Sequence, residues 1–164
     1  MKVVAIMRHG EAESFAGNDA RRELTDRGRL QSRQAGKLLA QHFDAYGGVE
    51  AIAHSPFSRT TQTAELVAEE IGGAAVLFGP EPNDALLGDQ SVASVSQWLS
   101  TQTWDRFIIV SHEPLVGDLL SWLVSGLGTS VRQREHHFQP STFAMIKADI
   151  FAQGCADFIT ISHH

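Results

Sequence analysis

Short apolar runs alternate along the chain with stretches of helical period, an order that predicts a mostly parallel sheet covered by helices on both faces. Residues 3–7 (Val-Val-Ala-Ile-Met) and 107–110 (Phe-Ile-Ile-Val) are continuous apolar runs, as strands buried on both sides should be. Residues 51–53 and 75–78 are weaker strand candidates. Residues 143–146 and 157–161 flank a turn at Gln153 and Gly154, which predicts a hairpin and hence an antiparallel edge.

Thr25 is placed to cap a first helix whose apolar positions Leu30, Ala35, Leu38, Leu39 and Phe43 make one stripe, ending near Gly47 and Gly48. A second helix is expected to begin at Ser55, with Pro56 in its first turn, and to stop at Gly72 and Gly73. Residues 91–100 predict a third, turning Val92, Val95, Trp98 and Leu99 inward. A fourth starts at Pro114, buries Leu115, Leu119, Leu120 and Leu123, and stops at Gly126. The nonperiodic stretches 10–24, 79–90 and 127–139 are read as loops. No repeat, low-complexity tract or linker interrupts the pattern, so residues 1–164 are expected to form one domain. The architecture predicted is a three-layer α/β sandwich with a mostly parallel sheet.

Composition narrows the function. At 43% apolar and 20% charged residues the chain has the balance of a folded protein. Its 13 basic against 19 acidic side chains, a formal charge of -6, oppose attraction to polyphosphate backbones or anionic lipid, so neither nucleic acid nor membrane is expected as a partner. Cys155 is the one cysteine, which excludes an intramolecular disulfide and a multi-thiolate metal site and fits a reducing compartment. No apolar run approaches the roughly 20 residues of a membrane span, and a cytoplasmic location is expected. Locally, residues 21–37 hold six basic side chains against two acidic ones, read as a solvated helix face, with attraction of an acidic partner as the alternative. The chain also carries eight histidines, the side chain that titrates nearest neutral pH.

Two of those histidines lie where predicted strands end and polar residues follow at once. The segments are Arg8-His9-Gly10-Glu11, Ser55-Pro56-Phe57-Ser58-Arg59 and Ser111-His112-Glu113-Pro114. Ligands in open α/β sheets bind at the carboxyl ends of strands, so the three segments should converge although about fifty residues separate them. The pocket so formed suits a phosphoryl group. Arginine offers a planar fork of donors to its oxygens, and Arg59 near a helix N-terminus adds free backbone N–H groups. A neutral imidazole at His9 can attack phosphorus, with Arg8, Arg59 and a protonated His112 stabilising the charge and no metal or other cofactor required. Gly10 leaves room for the phosphate and permits a tight turn.

These segments, in this order, resemble the histidine phosphatase superfamily with its phosphoglycerate mutase-like fold. The likeness to the small SixA-type phosphohistidine phosphatases is carried by Arg22-Glu23-Leu24-Thr25 with Gly28, by the run from Ser55 to Ala64 and by the run from Val110 to Gly117, and it spans residues 2–147. The resemblance implies that His9 is the phosphorylated nucleophile, that Arg8, Arg59 and His112 complete the phosphate pocket, and that Arg22 lies near it. It also implies a histidine phosphatase domain acting on a phosphohistidine-containing protein in signalling or phosphotransfer. A phosphatase of small phosphate esters, or a phosphate-binding module that has lost catalysis, stays open as an alternative.

The region after the third strand lacks the acidic pattern typical of the mutases, and the general acid is left unassigned among Glu81, Asp84 and Asp89. An alkoxide leaving group benefits strongly from a proton donor, whereas a protonated imidazole leaves readily, so the missing pattern favours phosphohistidine. Glu11 and Glu113 are expected to orient neighbours or cap turns, since a carboxylate beside bound phosphate would repel it. His54 is read as packing and His42 as surface. His136 and His137 are candidates for the pocket mouth, and His163 and His164 for the terminus. Other chemistries fail on spacing: His112-Glu113 lacks the second histidine of a zincin, Ser55 and Ser111 lack the glycines of a nucleophile elbow, and Gly126-Leu127-Gly128 is no dinucleotide fingerprint. Trp98, Trp104 and Trp122 are read as core or rim.

Overall fold

The strands and helices alternate as their apolar patterns require. In the computed structural model, which describes residues 1–14, 17–73, 76–125 and 137–163, β1 (Lys2–Arg8), β2 (Ala51–His54), β3 (Phe78–Pro82), β4 (Arg106–Ser111), β5 (Phe143–Ala148) and β6 (Ala156–Ser162) form one sheet in the order β3-β2-β4-β1-β5-β6. β3, β2, β4 and β1 run parallel, while β5 is antiparallel to β1 and β6 to β5. The fold is α/β with a mostly parallel sheet and the antiparallel edge expected from the hairpin around Gly154.

The period of two along the central strands divides the core into two layers. Val4 and Ile6 join Phe107 and Ile109 on the face covered by α3 (Val92–Thr101) and α4 (Leu115–Ser125). Val3, Ala5 and Met7 join Ile108 and Val110 on the opposite face, under α1 (Asp26–Asp44) and α2 (Ser58–Ile71). Trp98, Trp104 and Trp122 are partly buried against the first of these clusters. Thr25 caps α1 by accepting from Gly28 N at 3.0 Å, and Ser91 caps α3 by accepting from Ser94 N at 3.0 Å.

Several boundaries differ from the sequence reading. β3 occupies 78–82 rather than 75–78; Val76 is buried but Leu77 is exposed, and Ala75 lies outside the described residues. β3 contains Pro80 and Pro82, which an edge strand tolerates because one side of its backbone needs no partner. The expected loop 79–90 therefore opens with a strand and continues into a 3₁₀ turn at Asp84–Leu86. α2 begins at Ser58, not Ser55: Ser55 N still donates to Val110 O at 3.0 Å, so β2's pairing runs one residue past the strand.

On α1, Leu30 is 58% exposed and Leu38 only partly buried. The inward face is Gly28, Gln31, Ser32, Ala35, Gly36, Leu39 and Phe43, so polar and small residues fill the turn where helix meets loop. The basic run from 21 to 37 is partly neutralised by ion pairs of Arg33 with Glu69 and Glu70 at 3.0 and 3.1 Å and of Arg22 with Asp19 at 2.9 Å. The predicted stop at Gly126, most of the loop 127–139, His136 and His164 lie outside the described residues.

Candidate active site

Strand register brings the three polar segments to one edge. Arg8 pairs with Ser111 and His54 with Val110, so His9, Ser55 and His112 each follow the last residue or two of adjacent parallel strands. The rings of His9 and His112 meet edge to face with centroids 5.4 Å apart, and Phe57 lies 5.1 Å beyond His112. Arg59, at the start of α2, reaches back so that its Nε is 3.3 Å from His9 Nε2, with its guanidinium 4.9 Å over the Phe57 ring. A pocket of about 260 Å³ is lined by Arg8, His9, Arg22, Arg59 and His112, with Glu11, Ala12, Glu113 and Pro140 at its sides. It opens beside a cleft of about 530 Å³ that shares Arg59, His112 and Glu113 and adds Asp19, Phe57, Leu87, Gly88 and Asp89.

Each imidazole is held by a hydrogen bond. His9 Nδ1 donates to Gly10 O at 2.7 Å, which leaves a lone pair on Nε2 facing Arg59. His112 Nε2 and the Ser55 hydroxyl are 2.7 Å apart. Arg8 Nη1 donates to Phe138 O at 2.8 Å, while its buried Nε has no hydrogen-bond partner among the described residues.

The structure gives Gly10 another reason than the one its sequence context suggests. A Cβ there would come within 2.6 Å of Gly28 O and 2.7 Å of Ser32 Oγ, so the missing side chain lets the loop close on α1 and does not clear space for phosphate. Its backbone supports the site from below: Gly10 N donates to Thr63 Oγ1 at 3.0 Å and its carbonyl orients His9. Gly28 is needed for the same contact, since a Cβ would collide with the Glu11 carbonyl.

Asp19 and Ser55 were not legible as site residues. Asp19 Oδ2 accepts from Arg59 Nη2 at 3.3 Å and its carbonyl from Arg59 Nη1 at 2.8 Å, while Oδ1 accepts from Arg22 Nε at 2.9 Å. Ser55 stood in a recognised segment but read as a helix cap. Asp19 sat in a long loop with no local signal beyond its nearness to Arg22. Of the acids considered as proton donors, Asp89 lines the larger cleft, whereas Glu81 and Asp84 line neither cavity.

Glu113 caps α4 by accepting from Gly117 N at 2.8 Å and pairs with His137 at 3.2 Å, which brings His137 to the site's rim. Glu11 accepts from the Thr25 hydroxyl at 3.0 Å. His54 is buried and donates Nδ1–H to Ser55 O at 2.8 Å, consistent with packing. Among the described residues no group of three or more His, Cys, Asp or Glu side chains is arranged to hold a metal ion, and no helix is long and apolar enough to cross a membrane.

Known proteins share the family and the fold of this chain. Residues 4–82 match the histidine phosphatase superfamily (branch 1). The chain is 35% identical over 128 residues to the phosphohistidine phosphatase SixA of Escherichia coli strain K12, covering 75% of this chain and 74% of the relative. The chain belongs to the histidine phosphatase superfamily and is of the SixA type. This histidine phosphatase is also 28% identical over 158 residues to a SixA homolog of Haemophilus influenzae, covering 89% of this chain and 88% of that one. The solved structure of protein histidine phosphatase SixA complexed with tungstate matches with a TM-score of 0.74 at 29% identity, over 98% of this chain and 96% of that chain. A SixA structure from Nakamurella multipartitia, at 23% identity, shares the fold with a TM-score of 0.79 over 99% of this chain and 95% of its own.

The electrostatics of this histidine phosphatase keep both rings neutral in the unliganded site. Burial, opposed by the Gly10 hydrogen bond and reinforced by His112, Arg59 and Arg8, lowers the His9 pKa to about 3. Burial followed by the charge of Arg59 lowers His112 to about 4. His112 is thus neutral with no anion beside it, and the protonated form expected from sequence against a phosphoryl group calls for a bound anion to draw a proton onto the ring. Asp19's slight burial acts to raise its pKa, but the charge and hydrogen bond of Arg59, then those of Arg22, hold it below the usual carboxylate range.

A pH dependence of stability follows. Above pH 6.5 both imidazoles are neutral folded or unfolded and contribute no slope. Below 6.5 the unfolded chain binds protons that the folded chain refuses, so stability falls with pH until about pH 4 for His112 and about pH 3 for His9. Between about pH 6 and pH 4 the two together contribute roughly 2 to 3 kcal/mol per pH unit. Urea denaturation at pH 7.5, 6 and 5 is expected to show this loss, and to show less of it with saturating inorganic phosphate, which favours the charged rings. A flat stability from pH 6.5 to 5 would contradict it.

Proposed function

We propose that this histidine phosphatase removes the phosphoryl group from phosphohistidine on a protein, through a covalent intermediate on His9. The reading is carried by one observation: a neutral His9 whose Nδ1–H is committed to Gly10 O and whose Nε2 lone pair faces a pocket walled by Arg8, Arg22, Arg59 and His112. In the first step the His9 Nε2 lone pair forms a bond to phosphorus as the bond from phosphorus to the leaving atom breaks. The arginine forks take up the charge on the equatorial oxygens, and His112 takes a proton from solvent as the dianion approaches and returns it to solvent when phosphate departs. In the second step water replaces His9 on phosphorus; its two hydrogens leave on dihydrogen phosphate, and His9 returns with Nδ1–H in place.

Two features support a protein phosphohistidine as substrate. The cleft of about 530 Å³ beside the phosphate pocket is open, and its Phe57 and Leu87 walls suit a flat ring carried on a polypeptide. The SixA relatives are phosphohistidine phosphatases by name, and tungstate, the ligand in one of their structures, is a tetrahedral oxyanion like phosphate.

A panel comparing a phosphohistidine-containing protein, a phosphoserine peptide and small phosphate esters tests the reading. The kcat/KM for phosphohistidine is expected to exceed that for the esters by about 100-fold or more, since the ester leaving group calls for general-acid help worth about that much. A preference for small esters would replace the substrate assignment. Phosphate binding without turnover of any substrate would identify a regulatory module instead.

A further inference from the structure

The balance of charge differs between the two cavities of the site. They share Arg59, His112 and Glu113; the smaller adds Arg8 and Arg22 with Glu11, whereas the larger adds Asp19 and Asp89 beside Phe57 and Leu87. Asp19 is held there by several contacts. It opens a 3₁₀ turn capped by Asn18, whose side chain accepts from Ala20 N at 3.0 Å. Its carboxylate bridges Arg59 Nη2 at 3.3 Å and Arg22 Nε at 2.9 Å. One guanidinium therefore separates it from His9 Nε2, because Arg59 Nε lies 3.3 Å from that nitrogen. A carboxylate has about four acceptor positions, two of which are used here, and the Asp19 side chain is 64% exposed at the cleft.

We propose that Asp19 determines specificity for the leaving group, its carboxylate accepting the ring N–H of a phosphorylated imidazole. The inference rests on the phosphohistidine reading above and names the residue that would enforce it. As His9 Nε2 bonds to phosphorus, the pair of the breaking P–N bond returns to the substrate ring nitrogen. A ring that already carries a proton on its other nitrogen departs as neutral imidazole with that proton in place, so none has to reach the leaving atom. Asp19 favours the protonated ring by accepting its N–H. The balance of forces on its carboxyl, in which Arg59 and Arg22 outweigh slight burial, keeps it ionised and unsuited to donate the proton an alkoxide needs. A phosphate ester offers no ring N–H, and one with a second anionic group meets Asp19 and Asp89 as repulsion.

The test compares the full chain with Asp19→Asn on two substrates, phosphoimidazole and p-nitrophenyl phosphate, whose leaving group needs no proton and has no ring N–H. The ratio of kcat/KM values, phosphoimidazole over p-nitrophenyl phosphate, is expected to fall at least about tenfold in the variant, as loss of a hydrogen bond to a charged group predicts. Asp19→Glu should recover part of it. An equal loss on both substrates would show that Asp19 only positions Arg59, and a fall in Asp89→Asn but not in Asp19→Asn would move the assignment to Asp89. Either result overturns the inference while leaving the wild-type preference standing. A wild-type protein without any phosphoramidate preference overturns the substrate reading itself, and this inference with it.

Discussion

Replacing His9 with alanine is expected to reduce turnover by about 10⁴-fold or more, on phosphohistidine and on p-nitrophenyl phosphate alike. The size separates two roles. A positioned acid or base contributes about 10² to 10⁴, whereas removal of the atom that bonds to phosphorus closes the pathway. The proposal gives His9 the second role: Nδ1 is committed to Gly10 O at 2.7 Å and, among the described residues, no carboxylate hydrogen-bonds Nε2 to make it a proton shuttle. The substitution also leaves the buried Gly10 carbonyl without that partner, at about 1 to 3 kcal/mol. Thermal denaturation of the variant therefore has to accompany the kinetics, so that loss of turnover is read on a folded protein. Rapid quenching of the wild type with labelled substrate supplies the positive counterpart, an alkali-stable, acid-labile label on His9. Turnover within tenfold of wild type in His9→Ala, or no label under conditions of measurable turnover, would refute the covalent mechanism.

The second large effect is expected at Arg59. Arg59→Lys should lower kcat/KM by about 10² to 10³, the loss typical of removing one preorganised donor to developing charge, with inorganic phosphate inhibiting more weakly. The conservative charge does not rescue, because the site uses the planar fork: Nε meets His9 Nε2 while Nη1 and Nη2 hold Asp19. Stability should change far less than activity. The Arg59 side chain is only 7% exposed and burial lowers its pKa despite the Asp19 charge, so the folded protein holds this cation against a desolvation cost. Asp19, exposed and still paired with Arg22, is not stranded by its loss. Melting and steady-state kinetics on one preparation decide the matter. A variant that loses stability in proportion to activity would make Arg59 a structural residue.

The two sites of substitution also mark what was readable without a structure. Arg8, His9, Arg59 and His112 were legible because a buried strand that ends in charged residues has few structural explanations, and three such ends in one chain have one common explanation in a parallel sheet. The central strands were legible for a related reason: apolar runs such as 3–7 and 107–110 leave no face for water. β3 was not, because an edge strand with two prolines needs no apolar run, and the nearby run at 75–78 drew the prediction to the wrong residues. Leu30 misled in the same manner, being apolar but one position off a stripe that Gly28, Gln31 and Ser32 complete with polar and small atoms.

The sequence by itself determined the sheet class, the ends of β1 and β4 and the identity of Arg8, His9, Arg59 and His112 as residues that meet at one cavity, since these depend on periodicity and on residue type at a chain position. Only the tertiary structure decided the protonation of His9 and His112, the reason for Gly10 and the entry of Asp19 and Ser55 into the site. Burial fixes a pKa, a neighbouring helix fixes what a Cβ would strike, and a loop carboxylate acquires its role only from the arginines that folding brings to it, some forty residues away in the case of Arg59.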